Sequence, residues 1–124
     1  MIWNPVESVS RAGMEALQLE RLCWSVAHTY ERVASYRARM DAAGVRPEHI
    51  RTLADIDLLP VTTKEDMRTN YPYGLFAAPI KKMVRFHASS GTTGKPIVVG
   101  YTRADMEMWT DCCARVVSGA GVGE

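Results

Sequence analysis

The sequence predicts an α/β protein whose sheet is incomplete. Helical patterns dominate the first part of the chain, and two short strand-like runs then flank a glycine-rich loop before a last helical pattern. Because two strands alone do not form a self-sufficient sheet, the sequence indicates a piece of a larger protein. We expect a helical region at residues 1–78 and the truncated start of an α/β domain at residues 79–124.

The composition is that of an ordinary globular chain and excludes several classes of function. The 124 residues are 47% hydrophobic and 23% charged, and they carry a net charge of +1. No bulk field therefore favours nucleic acid or an anionic membrane. No apolar run approaches the roughly 20 residues that span a bilayer. The N-terminus lacks a basic leader followed by an apolar core, so we expect no signal peptide.

The first helix is expected from about residue 9 to residue 43. Gly44 followed by Pro47 is a typical stop signal. Apolar residues recur on one helical face: Leu19, Leu22, Cys23, Val26, Tyr30 and Val33. A helix of about 30 residues is ~45 Å long, too long to bury against the rest of the chain. It is therefore expected to pack on something outside the chain or on a second copy of itself, as a homodimer.

Two short helices have legible starts. Thr52 with Asp55, and Thr62 with Glu65, both have the spacing of a capping box, in which a threonine N-cap exchanges hydrogen bonds with an acid three residues later. Residues 70–74, Asn-Tyr-Pro-Tyr-Gly, have turn chemistry. The apolar run at residues 75–78 then predicts a compact anchor.

Two strands and a last helix follow. We expect strands at residues 83–88 and 97–101, joined by the loop as a hairpin. Thr102 is the predicted N-cap of the last helix, with Asp105 three residues on. Four apolar residues at helical spacing predict a buried stripe on that helix. They are Met106, Trp109, Cys113 and Val117.

The loop between the strands is a candidate anion-binding device. It offers four hydroxyls, two glycines that let the backbone approach a ligand, and one lysine as a point charge. In order these are Ser89, Ser90, Gly91, Thr92, Thr93, Gly94 and Lys95. The many spaced donors suit a polyphosphate better than a carboxylate. The loop residues alone would also fit a plain Gly/Ser/Thr hairpin.

A P-loop is excluded for this segment. That motif would need glycine at position 89 and serine or threonine at position 96, where the chain has Ser89 and Pro96. A strand rather than a helix follows the loop, so no helix N-terminus lies under a phosphate.

The stretch from His87 to Thr102 resembles the phosphate-binding signature of adenylate-forming enzymes. Within them the chain resembles the phenylacetate–coenzyme A ligase family, aryl-acid ligases of bacterial aromatic degradation. The resemblance extends over further stretches of that family's N-terminal region, namely residues 18–22, 36–37, 58–64, 70–76 and 101–103. The combination is far more specific than the loop alone.

The resemblance implies an activity for the whole enzyme. Such ligases use ATP to convert a small carboxylic acid to an acyl-adenylate, and coenzyme A then takes the acyl group as a thioester. It implies that residues 89–95 bind the β- and γ-phosphates, usually with Mg²⁺ helping. The adenine contacts, the magnesium-binding acid and the acyl pocket would lie beyond residue 124. We therefore expect this fragment alone to be inactive, and no catalytic residue is assigned.

Simpler interpretations of the chain and of its histidines and cysteines accompany this prediction. The alternative for the isolated piece is a non-catalytic helical module for dimerisation or docking. His87, beside the loop, is expected to be a half-buried structural residue rather than a catalytic one, and His28 and His49 are too scattered for a metal site. Three cysteines without C-x-x-C spacing argue against a disulfide framework, and favour a reducing cytoplasm.

Overall fold

The chain combines four α-helices with one β-hairpin in the residues that the structure, a computed structural model, describes: 2–89 and 96–122. The predicted mixed fold and its incomplete, two-stranded sheet are confirmed. The helices are α1 (Arg11–Arg32), α2 (Ala34–Ala42), α3 (Lys64–Thr69) and α4 (Arg103–Gly119), and the strands are β1 (Met83–Ala88) and β2 (Val98–Thr102). Short 3₁₀ turns lie at Pro5–Ser8, Pro47–His49, Leu53–Leu58 and Ile80–Lys82.

The prediction of one unbroken first helix is wrong, because the helix breaks at Val33. This residue has an extended backbone, with φ −113° and ψ 95°. Its N–H still donates to the carbonyl of Thr29, and its carbonyl accepts from Arg37, both at 2.9 Å. The break therefore costs few backbone hydrogen bonds, and it lets the Val33 side chain become 97% buried, with 3% exposed.

Behind the break, α2 folds back to build a core with α1. Val26, Met40, Val45 and Ile50 form the buried cluster, and Met40 is fully buried. The turn at Gly44 makes this possible: its φ of 68° suits glycine, and the next residue, Val45, bonds back to the Met40 carbonyl at 2.9 Å. The apolar face that suggested a second copy is thus largely used within the chain.

Of the two caps predicted between residues 52 and 65, one is confirmed and one is shifted by one residue. Thr52 and Asp55 form their capping box, although the turn that follows is a 3₁₀ helix. The second cap is Thr63 with Asp66, not Thr62 with Glu65. The hydroxyl of Thr63 donates to the Asp66 carboxylate at 2.8 Å. The same carboxylate pairs with Arg39 of α2 at 3.0 Å, and this long-range contact favours the observed cap.

The strands pair antiparallel as predicted, with β2 starting one residue later than expected. Phe86 lies opposite Gly100, and His87 lies opposite Val99. The apolar anchor before the hairpin packs directly on the backbone of Gly100. A Cβ placed there would lie 2.5 Å from a ring carbon of Phe76 and 2.9 Å from the Met83 sulfur. Glycine is therefore required by the close approach of the Phe76 ring.

Helix α4 begins as predicted but does not bury the predicted stripe. Thr102 and Asp105 form the capping box, with the Thr102 hydroxyl donating at 2.7 Å. In the stripe, Met106 is half-buried, Cys113 is exposed, and Trp109 and Val117 are 40% and 47% exposed. The two-stranded hairpin is too small to cover the whole face. The N-terminal segment also contacts this helix, through the Trp3 indole N–H, which donates to Asp111 at 2.9 Å, and through Glu7, which pairs with Arg115 at 3.8 Å.

No helix within residues 2–89 and 96–122 combines the length and the apolar character that crossing a membrane requires.

Candidate functional site

The stem of the candidate loop is closed by Ser89. Its backbone N–H donates to the carbonyl of Ile97 at 3.0 Å, which extends the ladder beyond the last strand pair, Ala88 and Val98. The N–H of Ile97 donates to the Ser89 hydroxyl oxygen at 3.1 Å. The other predicted loop residues, Ser90, Gly91, Thr92, Thr93, Gly94 and Lys95, lie outside the described residues.

The Ser89 hydroxyl fits a phosphate ligand. Its oxygen accepts the Ile97 N–H, and within the described residues the hydroxyl donates to no other group, so its hydrogen is available as a donor. Phosphate oxygens accept hydrogen bonds, and the residue is exposed. One side chain can therefore close the stem and donate to an anion at the same time.

The two faces of the hairpin carry separate aromatic clusters. Successive residues of a strand point to opposite faces, so Gly100 faces Phe76 while Tyr101 faces the other way. On the first face the ring of Phe86 lies 6.3 Å from that of Phe76 and 5.9 Å from that of Tyr73. Tyr73 and Phe76 precede the hairpin, so this cluster ties the helical region to it.

The second cluster lies on the other face, two rungs from the Ser89–Ile97 bonds. The His87 ring is 4.9 Å from Tyr101 and 5.6 Å from Trp109, both edge-to-face, and the Tyr101 and Trp109 rings stack at 5.4 Å. Trp109 belongs to α4, so these three residues join both strands to that helix. His87 is exposed rather than half-buried as predicted, because nothing in the described chain covers this face beyond Trp109.

A largely apolar cavity of about 470 Å³ lies between α1, the 75–78 segment and the first face of the hairpin. Its lining includes Trp24, Phe76, Met83, Val98 and Asp105. Asp105 is already engaged in the cap of α4. The cavity thus has the character of an imperfectly filled packing interface.

The remaining histidines and the cysteines lie in separate local contacts. His28 stacks on Trp24 with ring centres 4.7 Å apart, and the Nδ1 of His49 accepts the backbone N–H of Arg46 at 3.2 Å. In the part of the chain that the structure describes, no group of three or more His, Cys, Asp or Glu side chains could hold a metal ion. The three cysteines are free thiols, and Cys112 and Cys113 are exposed on α4.

The carboxyl groups with clear pKa shifts serve structure. The backbone N–H of Arg51 lowers the pKa of Asp55, and that of Thr63 lowers the pKa of Asp66. The hydrogen bond from Arg115 is the main cause of the lowered pKa of Asp111. These groups are helix caps or helix-surface pairs away from the hairpin stem, so none of them is placed as an acid or base for the loop.

Sequence reasoning missed both aromatic clusters, although a signal was present. Phe86 and His87 are consecutive in β1, as are Gly100 and Tyr101 in β2. Alternation therefore places one aromatic ring of β1 on each face, and the small residue opposite Phe86 marks where an outside ring could approach.

Comparisons with solved structures define the class. No protein-family model matches the chain. A 2-hydroxyisobutyryl-CoA ligase in complex with 2-HIB-AMP and CoA superimposes with a TM-score of 0.80 at 28% identity, over 89% of this chain and 24% of that one. A second structure of that ligase, in the postadenylation state with 2-HIB-AMP, gives 0.81 at 27% identity, over 92% and 25%. The fold is therefore that of a segment of the adenylate-forming coenzyme A ligases.

Sequence comparison narrows the class to a family. Phenylacetate-coenzyme A ligases of Aromatoleum evansii and Escherichia coli K12 are 52% and 50% identical over 118 residues, 95% of this chain. The Thermus thermophilus ligase of that name is 48% identical over 122 residues, or 98%. The chain belongs to the phenylacetate–coenzyme A ligase family, as its motifs predicted. It spans about a quarter, 27%, of the length of these relatives.

Proposed function

We propose that the chain is part of an ATP-dependent aryl-acid–coenzyme A ligase and supplies its pyrophosphate-binding loop. The observation that carries the proposal is the loop sequence of residues 89–95 on a hairpin whose stem Ser89 closes, with its hydroxyl hydrogen still free to donate. Identity of 48–52% to curated phenylacetate-coenzyme A ligases supports the substrate class. The substrates are then ATP, coenzyme A and a small, phenylacetate-like carboxylic acid.

The chemistry assigns a clear task to the loop. In the first step a carboxylate oxygen attacks the α-phosphorus of ATP, acyl-AMP forms and pyrophosphate leaves. Negative charge builds on the departing β- and γ-phosphates, where fixed donors stabilise it most. The hydroxyls of the loop, the backbone N–H groups near Gly91 and Gly94, and the Lys95 ammonium are those donors. In the second step the coenzyme A sulfur attacks the acyl carbonyl and AMP leaves, without pyrophosphate.

Magnesium is assigned to no residue of this chain. A bound Mg²⁺ would neutralise phosphate charge, as in other phosphoryl sites. The described residues hold no cluster of three acidic, His or Cys ligands. The family resemblance places the magnesium-binding acid beyond residue 124, and the role of residues 89–95 does not depend on it.

The proposal keeps the division of the chain into residues 1–78 and 79–124. A separate core around Met40 supports it, while Phe76 against Gly100 and Trp3 with Asp111 connect the two parts. A cytoplasmic location is supported by three free thiols. Self-association through α1 stays a prediction, and its earlier basis is weaker because Val26 is buried in the chain's own core.

Glycine substitution in the complete ligase tests the loop. Gly91→Val should lower ATP–pyrophosphate exchange by about 10²–10³-fold, because a side chain there would disturb donors aimed at the pyrophosphate. Gly119→Val is the matched control, since a Cβ at this exposed glycine meets nothing within 4 Å. Exchange at the wild-type rate in Gly91→Val would overturn the assignment.

A second arm uses the 124-residue chain alone. With ATP, coenzyme A and phenylacetate it should form no thioester, because about three quarters of each relative has no counterpart in it. Robust turnover by the isolated chain would contradict this expectation.

A further inference from the structure

We propose that His87 is a positioning residue for the phosphate-binding loop, acting through the aromatic cluster that it forms with Tyr101 and Trp109. The proposal rests on the proposed function of the loop. It adds a residue outside the loop, with a role in adenylation only.

His87 lies close to the stem of the loop. It lies two residues before Ser89 and pairs with Val99, which is two residues after Ile97. The Ser89–Ile97 bonds that close the stem are therefore two rungs from the imidazole. A tilt of this rung would be passed to the loop through a ladder of only a few hydrogen bonds.

The His87 ring contacts both β2 and α4. Its ring meets Tyr101 at 61° and Trp109 at 69°, so one side chain of β1 is in edge-to-face contact with β2 and with α4. Edge-to-face pairs are directional, so they fix an angle as well as a distance. Strand β2 runs directly into α4 at Thr102, and the cluster adds a second link, which joins β1 to that helix. The cluster therefore helps to set the angle between the stem and α4.

The opposite face explains why a single residue can matter. Phe76 and Tyr73 secure Phe86 there, and they tie the hairpin to the helical region rather than to α4. Loss of the His87 ring would leave the hairpin folded and joined to α4 by the Tyr101–Trp109 stack, but β1 would lose its own ring contacts on that side. The exposed imidazole is also in reach of water, so its removal opens no buried cavity.

The two half-reactions of the complete ligase separate positioning from general damage. In His87→Ala we expect kcat/KM for ATP–pyrophosphate exchange to fall about tenfold, mainly through the KM for ATP, as two directional ring contacts are lost. Thioester formation from synthetic phenylacetyl-adenylate and coenzyme A should keep its rate, because that step uses no pyrophosphate. His87→Phe keeps a flat ring and should restore exchange to within about twofold.

The control is His28→Ala, which removes the other histidine–tryptophan stack, with Trp24 on α1. It should leave both half-reactions unchanged. Tyr101→Leu approaches the same cluster from β2 and should repeat the exchange-only defect. Thermal unfolding of each variant shows that the fold is retained.

Three outcomes would overturn the proposal: normal exchange in His87→Ala, equal loss in both half-reactions, or failure of His87→Phe to restore exchange. The Gly91→Val variant distinguishes failure of the loop assignment from failure of the positioning role of His87. If Gly91→Val abolishes exchange while His87→Ala does not affect it, the loop assignment stands and the positioning role fails. If neither affects exchange, the loop assignment itself fails.

Discussion

The helical region and the hairpin–α4 region differ in how they are held together. Residues 11–59 contain a conventional core, in which five apolar side chains, including Val33 and Met40, are 0–7% exposed. In β1 and β2 no described side chain is buried, and in α4 the buried residue is Ser118. There Val116 is 74% exposed, and aromatic ring contacts replace a core.

The difference separates stability from the candidate function. The helical region closes its core with neighbours in sequence, since α2 folds back at Val33 onto α1. The hairpin that carries the loop is instead held by ring contacts from outside it, with Phe76 on one face and Trp109 on the other. Regions with few buried apolar contacts open at lower free energy than a core does. Within this chain, the loop-bearing part is thus expected to open more readily than the helical core.

Removing a core side chain should have the largest effect. Met40→Ala should lower the free energy of unfolding by about 2–5 kcal/mol, because Met40 is fully buried and its loss leaves a cavity. Urea unfolding, monitored by circular dichroism, measures this change in free energy. Val117→Ala is the control from the other region and should change the free energy by less than about 0.5 kcal/mol. Equal effects at the two positions would erase the contrast.

Filling the space at Gly100 should have an intermediate effect. Gly100→Ala should destabilise the chain by about 1–3 kcal/mol, because the methyl group would overlap the Phe76 ring. Gly119→Ala is the control, with open space around the added carbon. Phe76→Leu should recover part of the loss in the double variant, and strict additivity would show that the two positions are uncoupled.

The smallest expected effect is on the pH dependence of stability, and it comes from Asp66 in the cap of α3. The pKa of Asp66 is lowered in the folded state, so its contribution is present above the unfolded value near 3.9 and is lost as pH falls through the folded pKa. Asp66→Asn should therefore flatten the stability curve below about pH 4. Glu65→Gln should not, since Glu65 makes no part of the observed cap. The reverse pattern would reinstate the cap that the sequence first indicated.

Features that depend on neighbours in sequence were predictable, and features that depend on contacts with distant residues were not. The cap of Thr102 and the strand pair need only neighbours in sequence, and both were found. Thr62–Glu65 and Thr63–Asp66 have the same spacing, and the contact that separates them comes from Arg39 on another helix. The break at Val33 likewise depends on what α2 covers. Helical periodicity alone does not contain that information.

For the candidate site, the sequence signature located the loop, and the structure added the support around it. The motif predicted Ser89 as a ligand, but not that its hydroxyl also accepts the Ile97 N–H. The sequence pattern predicted the apolar face of α4, but periodicity does not show which residues pack against that face. Trp109 is partly covered by His87 and Tyr101 and otherwise open.

The hydrogen bond between Trp3 and Asp111 joins positions 108 residues apart. During synthesis Asp111 is made 108 residues after Trp3. The core around Met40 needs nothing beyond residue 59, so it can close while the rest of the chain is still being added. Trp3 can form this contact only after α4 has been made, so the contact reports that α4 has joined the fold.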